Sequence, residues 1–306
     1  MRKHLIGILV VIQSVIIVLC LANSGIRVLI KKKLLQTDVI LFDGFFRRAY
    51  HRQHIPELSQ RLPAHSANDY EWCENKAFFV IGHGLGPELY GGINTLKTLE
   101  KGLERGFRIF EVDLSVTSDN RLVCYHGGDE REIDKTSYAD YLKITKRENH
   151  LPCRFSDIVR YARQHPEVRF VLDIKNRFYD AYTIVRHEIG TQGLGKSFIP
   201  QIYDFEQLPT IREGNFFAGE IFTSYRSALT NRQIFDAAQK YDVHVVTLTT
   251  ERFFDQNGKF PEKISILTHS VNDPFVANEV RKLRGQGIYT SYITPLSVPE
   301  LFLPNS

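Results

Sequence analysis

The stretch Phe107–Leu114, which reads FRIFEVDL, decides the fold class because its side chains divide cleanly between two faces. Successive side chains of a strand point to opposite sides. One side is apolar and carries Phe110, Val112 and Leu114. The other side carries Glu111 and Asp113, so it becomes polar toward the carboxyl end. Such a strand can pack beneath helices on one side and supply a site on the other.

Short apolar runs alternate with helix-like runs through the rest of the chain, from residue 77 to residue 306. Nine runs are strand-like: 78–83, 107–114, 122–126, 169–175, 199–203, 220–224, 244–248, 264–269 and 288–293. Apolar strands that alternate with helices are typical of a parallel sheet covered by helices. We therefore predict an α/β fold, a TIM-type (β/α)8 barrel with one extra strand in residues 77–306. An open doubly wound sheet is the alternative.

Polar side chains end several of these strands on consistent faces. Because the carboxyl ends of barrel strands meet at one mouth, we expect six side chains to converge there. They are His83, Glu111, Asp113, His126, Asp173 and Lys175. Three carboxylates in one cavity need a cationic partner, and Mg²⁺ or Ca²⁺ is the metal that carboxylate oxygens bind. Histidines beside such a cation suit general acid and base roles near neutral pH.

Alternatives exist for the separate residues. A lone histidine at a strand end is usually structural, and Asp173 with Lys175 could form only a salt bridge. A sugar-processing hydrolase would also place carboxylates at a barrel mouth. The joint pattern favours a site, and two strand-end histidines together with Lys175 favour phosphate as the group that is bound.

Eight segments stand in a fixed order along the chain: GHG at 82–84, NTL at 94–96, FEVD at 110–113, TSDN at 117–120, VCYH at 123–126, LDIK at 172–175, THSVN at 268–272 and GIYT at 287–290. This order resembles the glycerophosphodiester phosphodiesterase family. That family belongs with the barrel phosphodiesterases related to phosphatidylinositol-specific phospholipase C and sphingomyelin-cleaving phospholipase D. The resemblance covers about residues 78–294.

The resemblance implies metal-dependent cleavage of a glycerophosphodiester or of a phospholipid-type substrate. It implies an acid–base pair made of His83 and His126, and a contact from Lys175 to a phosphoryl oxygen. It implies three metal ligands: Glu111, Asp113 and Asp173. Asp173 stands where the glycerophosphodiesterases usually have Glu and where the related phospholipases D have Asp.

The chain departs from the family pattern near the phosphate site. Gly84 stands where the family has Arg, and Gly127 stands where it has Asp. The usual Pro-Glu before Asn-Thr is replaced by Gly92 and Ile93, which removes an acid that often serves as a ligand. The late Trp-Thr-Val-Asn motif has lost its Trp. The sequence therefore does not identify the headgroup of the substrate.

The amino terminus carries an apolar run, Leu5–Ala22, with no charged residue. Eighteen helical residues rise about 27 Å, close to the hydrocarbon thickness of a bilayer. We predict a single-pass membrane anchor or signal segment in residues 1–35, followed by a lead-in segment at 36–76 that packs on the barrel. A cleaved signal peptide is the alternative. Basic residues flank both sides of the run, so the membrane face stays open.

Charge and cysteine content exclude some functions. The net charge is +4, but six basic residues and no acid lie in residues 1–35, which leaves 33 basic and 35 acidic residues in the rest. A nucleic-acid partner is therefore not expected. The four cysteines form no CxxC pair, and we predict buried free thiols. A non-catalytic, membrane-tethered barrel that acts as a binding module is the competing class, and the oligomeric state is left open.

Overall fold

Eight parallel strands close into a barrel in the computed structural model, which describes residues 55–58, 61–66, 68–74, 78–88, 93–126, 133–147 and 150–302. The barrel strands are β1 Phe79–Gly82, β2 Ile109–Val116, β4 Arg169–Ile174, β5 Phe198–Ile202, β6 Ile221–Thr223, β7 Val245–Thr249, β8 Ser265–His269 and β9 Gly287–Thr290. The barrel is closed because β1 pairs with both β9 and β2. The predicted (β/α)8 class is confirmed, and the open sheet is excluded.

Helices follow most of the strands and cover the outside of the barrel. They are α1 Leu96–Glu104, α2 Tyr138–Arg147, α3 Phe155–Gln164, α4 Phe178–Ile189, α5 Gln192–Gly195, α6 Leu208–Arg212, α7 Asn231–Lys240, α8 Thr250–Asp255 and α9 Pro274–Lys282. Several begin at a side chain that accepts a hydrogen bond from the first turn: Thr95 for α1, Thr230 for α7 and Asp273 for α9. Such caps satisfy amide groups that the helix itself leaves unpaired.

The two faces of the barrel strands pack against different partners. Phe110, Val112 and Leu114 lie in the large apolar core between the strands and the helices. The barrel interior holds a separate apolar layer with one residue from each strand: Ile81, Ile109, Val171, Ile199, Ile221, Val245, Leu267 and Tyr289. This layer blocks the barrel below the polar strand ends, so the site has one open mouth.

The segment 68–74 closes the amino-terminal end of the barrel. Tyr70 and Trp72 pack into the interior layer, and the Trp72 indole N–H donates to the Ala218 carbonyl at 2.9 Å. Lys196 Nζ lies 2.6 Å from a carboxylate oxygen of Asp69 in this segment. A second ion pair nearby joins Arg212 and Glu220, and both of these side chains are buried.

One of the nine strand-like runs is the extra strand that the sequence analysis allowed for. The run 122–126 contains β3, Leu122–Cys124, which pairs antiparallel with β2. It cannot be a parallel neighbour, because a parallel pair needs a crossover connection of a dozen residues or more. Here a tight turn reverses the chain, with the Asn120 amide donating to the Thr117 carbonyl at 3.0 Å and Asn120 at a φ of 58°.

The predicted membrane span, Leu5–Ala22, lies outside the described residues, and so does most of the predicted lead-in segment. Among the helices that the structure does describe, none combines the length and the apolar character needed to cross a bilayer. The anchor therefore stays a prediction from sequence.

Candidate active site

Three acidic side chains meet at the carboxyl end of the barrel, and we call Glu111, Asp113 and Asp173 the carboxylate triad. Asp113 on β2 is in register with Asp173 on β4. One oxygen from each carboxylate lies within 4.8 Å of the other two. The exposed fractions are 2%, 0% and 3%, respectively, so these charges are almost entirely removed from water. The structure thus brings together all three residues that the sequence predicted as metal ligands.

Lys175 supplies a positive charge within the carboxylate triad. Its Nζ lies 2.6 Å from Asp113 Oδ1 and 2.8 Å from Asp173 Oδ2. Burial alone would lower the pKa of Lys175, but the two aspartates outweigh burial and raise it above the ordinary value. Burial would likewise raise the pKa of Asp113, but Lys175 holds it below its usual range. Both groups therefore stay charged across the neutral range.

Backbone and amide donors fix the orientation of two triad members. Glu111 Oε2 accepts the Gly84 amide at 2.8 Å. Asn94 Nδ2 donates to Asp113 Oδ2 at 2.7 Å, and Asn94 Oδ1 accepts the Asp113 amide at 3.0 Å. Gly84 has a φ of +58°, and a Cβ there would lie 2.8 Å from Ile93. Glycine at position 84, where the family pattern has Arg, therefore allows a turn in which the Gly84 amide binds the Glu111 carboxylate.

His83 follows β1 directly and lies partly buried beside the triad. Its Nδ1 is 3.1 Å from Ser291 Oγ, which orients the ring. Burial lowers its pKa below the ordinary value for histidine. The imidazole is therefore neutral at neutral pH and able to accept a proton.

His126 reaches the same end of the barrel by a different route. It follows β3, which returns antiparallel along β2, and the Tyr125 amide donates to the Asp113 carbonyl at 3.0 Å. This backbone bond places His126 beside the carboxyl end of β2, where Asp113 lies. In contrast to His83, the His126 side chain is exposed.

Three further side chains, which the sequence analysis did not assign to the site, complete its wall. Tyr203 Oη donates to Asp173 Oδ1 at 2.7 Å, and Tyr225 Oη lies 3.4 Å from Asp173 Oδ2. His269 ends β8, with its ring 5.2 Å from that of His83 and stacked on Tyr225 at 5.6 Å. Burial lowers the pKa of His269 to about 4. The strand-end rule that selected His83 would also have selected Tyr203 and His269.

The carboxylate triad fits a divalent cation. When all three carboxylates are ionised, the ammonium of Lys175 leaves an excess of two negative charges in a site shielded from water. Asp113 Oδ1 is buried, and Lys175 Nζ lies 2.6 Å from it. Burial, followed by Asp113 and Asp173, raises the pKa of Glu111 well above its usual value. A cation among the three carboxylates would offset this repulsion, and hard oxygen ligands suit Mg²⁺ or Ca²⁺.

Comparison with known families agrees with this geometry. Residues 86–186 match the glycerophosphoryl diester phosphodiesterase family. The predicted resemblance to that family is confirmed. The matched region contains the carboxylate triad, His126 and Lys175, whereas His83 lies just before it. The enzyme class that this match indicates, phosphoric diester hydrolase, is the class predicted from the sequence.

Solved structures share the fold at low sequence identity. A protein of Silicibacter pomeroyi described as a glycerophosphoryl diester phosphodiesterase has a TM-score of 0.62 at 16% identity, covering 76% of this chain and 97% of its own. A glycerophosphodiester phosphodiesterase of Parabacteroides distasonis has a TM-score of 0.58 at 17% identity, covering 74% and 95%. An Oleispira antarctica phosphodiesterase in complex with the product sn-glycerol-3-phosphate has a TM-score of 0.58 at 13% identity, covering 76% and 98%. No curated protein sequence matches the chain.

Proposed function

We propose that the protein is a metal-dependent phosphodiesterase that acts on a glycerophosphodiester or a phospholipid-type substrate at the barrel mouth. One observation carries the proposal: three buried carboxylates have oxygens within 4.8 Å of one another, and the ammonium of Lys175 contacts two of them. A site with this excess of negative charge attracts a divalent cation, and a cation beside Lys175 in turn attracts a phosphate diester. In this proposal, His83 is the general base that accepts a proton during the reaction.

The cation, held by the carboxylate triad, would supply positive charge to a non-bridging phosphoryl oxygen. Lys175 contributes a second positive charge to the same group. His83 is neutral because it is buried, so it accepts the proton of the attacking hydroxyl while Ser291 holds its ring. His126 is exposed at the mouth and protonates the leaving alkoxide. The attacking hydroxyl is water, or a neighbouring hydroxyl of the substrate if the product is a cyclic phosphate.

The predicted anchor at residues 5–22 supports a substrate that is a lipid or derives from one. A single-pass anchor would hold the barrel close to a bilayer, where diester headgroups are concentrated. A soluble diester handled by a tethered enzyme is the competing substrate class. Lipid-derived and soluble substrates both contain the phosphodiester, so the rest of the substrate must be varied to distinguish the two classes.

The test is a substrate panel for the full chain in detergent, assayed with Mg²⁺, Ca²⁺ or a chelator. The panel contains glycerophospho-, lysophospholipid, sphingomyelin-like and inositol-type diesters. We expect turnover of at least one class with a cation and none with chelator, and phosphate-ester analysis of the product identifies the attacking hydroxyl. Absence of turnover on the whole panel with either metal would contradict the proposal.

A non-catalytic barrel is the second candidate, and the position of Lys175 favours it. Its ammonium lies between Asp113 and Asp173, so part of the buried negative charge is already offset without a metal. The two candidates differ in cation binding. A cation at 100 times its dissociation constant stabilises a binding site by about 2.7 kcal/mol, whereas a barrel without a cation site gains nothing. Thermal unfolding with and without Mg²⁺ or Ca²⁺ measures this difference.

A further inference from the structure

Two cysteines face each other in the segment that brings His126 to the barrel mouth. An isolated antiparallel bridge pairs Val123 with Arg154, which places Cys124 opposite Cys153. The Cys124 amide donates to the Cys153 carbonyl at 2.9 Å. The two Sγ atoms are 2.7 Å apart, and both side chains are completely buried. The pairing is non-local, because 29 positions separate the two residues in sequence.

The backbone geometry around this pair suits a covalent bond. Residues that face each other across antiparallel strands have Cα atoms about 4.5–5.5 Å apart, which lies within the range that disulfides span. The Tyr141 hydroxyl holds both strands, since it lies 3.4 Å from the carbonyl oxygens of Cys124 and Cys153. Little rearrangement is therefore needed to join the two sulfur atoms.

We propose that Cys124 and Cys153 form a disulfide when the protein folds in an oxidising environment, and that this bond fixes the position of His126. The bond would join β3 to the residues that lead into α3. Cys124 lies two residues before His126, and only Tyr125 separates them. The cross-link would thus hold an exposed histidine in place by a covalent tie just before it in the chain.

The oxidant is a disulfide, either glutathione disulfide or a protein disulfide. One cysteine thiolate attacks the oxidant, forms a mixed disulfide and releases one oxidant sulfur as a thiol. The other cysteine attacks the mixed disulfide and releases the second oxidant sulfur as a thiol. The two cysteines lose two electrons and two protons in total, and the oxidant takes up both. Burial raises the pKa of the Cys124 thiol, so we expect the bond to form during folding and to resist exchange afterwards.

The first test counts thiols in the full chain, produced once in a host with an oxidising folding compartment and once in a reducing cytosol. Each sample is alkylated in denaturant without reductant, digested and analysed by mass spectrometry. We expect a cross-linked 124–153 peptide pair, two hydrogens lighter than the free pair, from the oxidising host and alkylated thiols from the reducing one. Cys73 is the control, since its Sγ donates to the Tyr70 carbonyl and it should be alkylated in both samples. Alkylation of Cys124 and Cys153 in the oxidised sample would overturn the proposal.

The second test asks whether the bond holds His126. Hydrogen exchange of the peptide containing residues 122–126 is compared between the two samples, with peptides from β7 as an internal reference. We expect exchange in this peptide to be at least roughly tenfold slower with the bond present, and the melting temperature to be higher by about 5–10 °C. A Cys73→Ser variant should show the same difference between samples, and a Cys124→Ala/Cys153→Ala variant should show none. Equal exchange in a sample with the verified bond would refute the role in fixing His126, whatever the activity on diesters.

Discussion

Both ends of the barrel bury acidic side chains, but the two ends differ in how many cationic side chains accompany these acids. At the amino-terminal end, Asp69 lies 2.6 Å from Lys196, and Glu220 lies 2.5 Å from Arg212, so each acid has its own cation. At the carboxyl-terminal mouth, the described part of the chain brings one cation to the carboxylate triad, Lys175, which contacts Asp113 and Asp173. The acids are buried to the same degree at both ends.

This difference indicates what each end does. In a buried ion pair with matched charges, the two charges neutralise each other, and the pair has a structural role. An excess of buried charge has no such partner among the residues that the structure describes and marks a place for a ligand of opposite charge. The same substitution, an acid to its amide, should therefore lower activity at one end and stability at the other.

The largest effect is expected for Glu111→Gln at the mouth. The amide keeps the size of the side chain but removes one charge from the triad and weakens the cation site. We expect turnover of a competent phosphodiester to fall roughly 10³-fold, which corresponds to about 4 kcal/mol of transition-state stabilisation. Because burial and the two aspartates already oppose ionisation of Glu111, losing its carboxyl group should leave the melting temperature without metal the same or raise it. The assay is steady-state turnover alongside thermal unfolding.

Stabilisation by added Mg²⁺ or Ca²⁺ should also disappear in Glu111→Gln. A variant that binds the cation as the original chain does, and turns over substrate at the same rate, would remove Glu111 from the site.

The matched substitution at the amino-terminal end is Glu220→Gln. It leaves Arg212, which is 6% exposed, buried without its carboxylate partner. Removing one member of a buried ion pair destabilises a protein by about 3 kcal/mol or more, and chemical denaturation measures this loss directly. Turnover per folded molecule should be unchanged. If Glu220→Gln instead abolished turnover with little loss of stability, the division of roles between the two ends would be wrong.

Most of the fold and the triad could be predicted because both depend on local patterns. The alternation in Phe107–Leu114 assigns Glu111 and Asp113 to one face, and the strand ends bring them to the same mouth as Asp173. Periodicity left open which of the nine runs is the extra strand, because the direction of β3 depends on the length of a connection. The short turn at 117–120 determines that β3 runs antiparallel to β2.

Other parts of the site depend on contacts between residues distant in sequence. Tyr203 and Tyr225 follow β5 and β6 and contact Asp173, and although the strand-end rule selects Tyr203, no local pattern predicts these contacts. His269 stacks on Tyr225 and lies against His83 only because the closed barrel joins β8 to β1 through β9. The contact between Cys124 and Cys153 likewise requires the antiparallel return of β3.

The proposed leaving-group acid gives the next smaller effect. His126→Ala should lower turnover by at least roughly 10²-fold, because a general acid typically contributes that much. The side chain is exposed, so the free energy of unfolding should change by no more than about 0.5 kcal/mol. His187→Ala, on the exposed face of α4, is the matched control and should change neither quantity. Turnover of His126→Ala close to that of the control would exclude the residue from the mechanism.

The smallest effect concerns His269, whose buried ring makes the mouth sensitive to acid. Its pKa is about 4 in the folded protein, against about 6.5 in an unfolded chain. Above pH 6.5 the ring is neutral in both states, so its contribution to stability is constant. Between pH 6.5 and 4 only the unfolded state takes up the proton. The free energy of unfolding therefore decreases as the pH is lowered, by about 2 kcal/mol at pH 5. Denaturation curves at pH 7 and pH 5 should show that the original chain loses about this much more than His269→Phe. Other titrating groups largely cancel in that difference, and His187→Phe controls for removal of a surface histidine. Parallel losses in the original chain and His269→Phe would show that the ring is not held neutral by its surroundings.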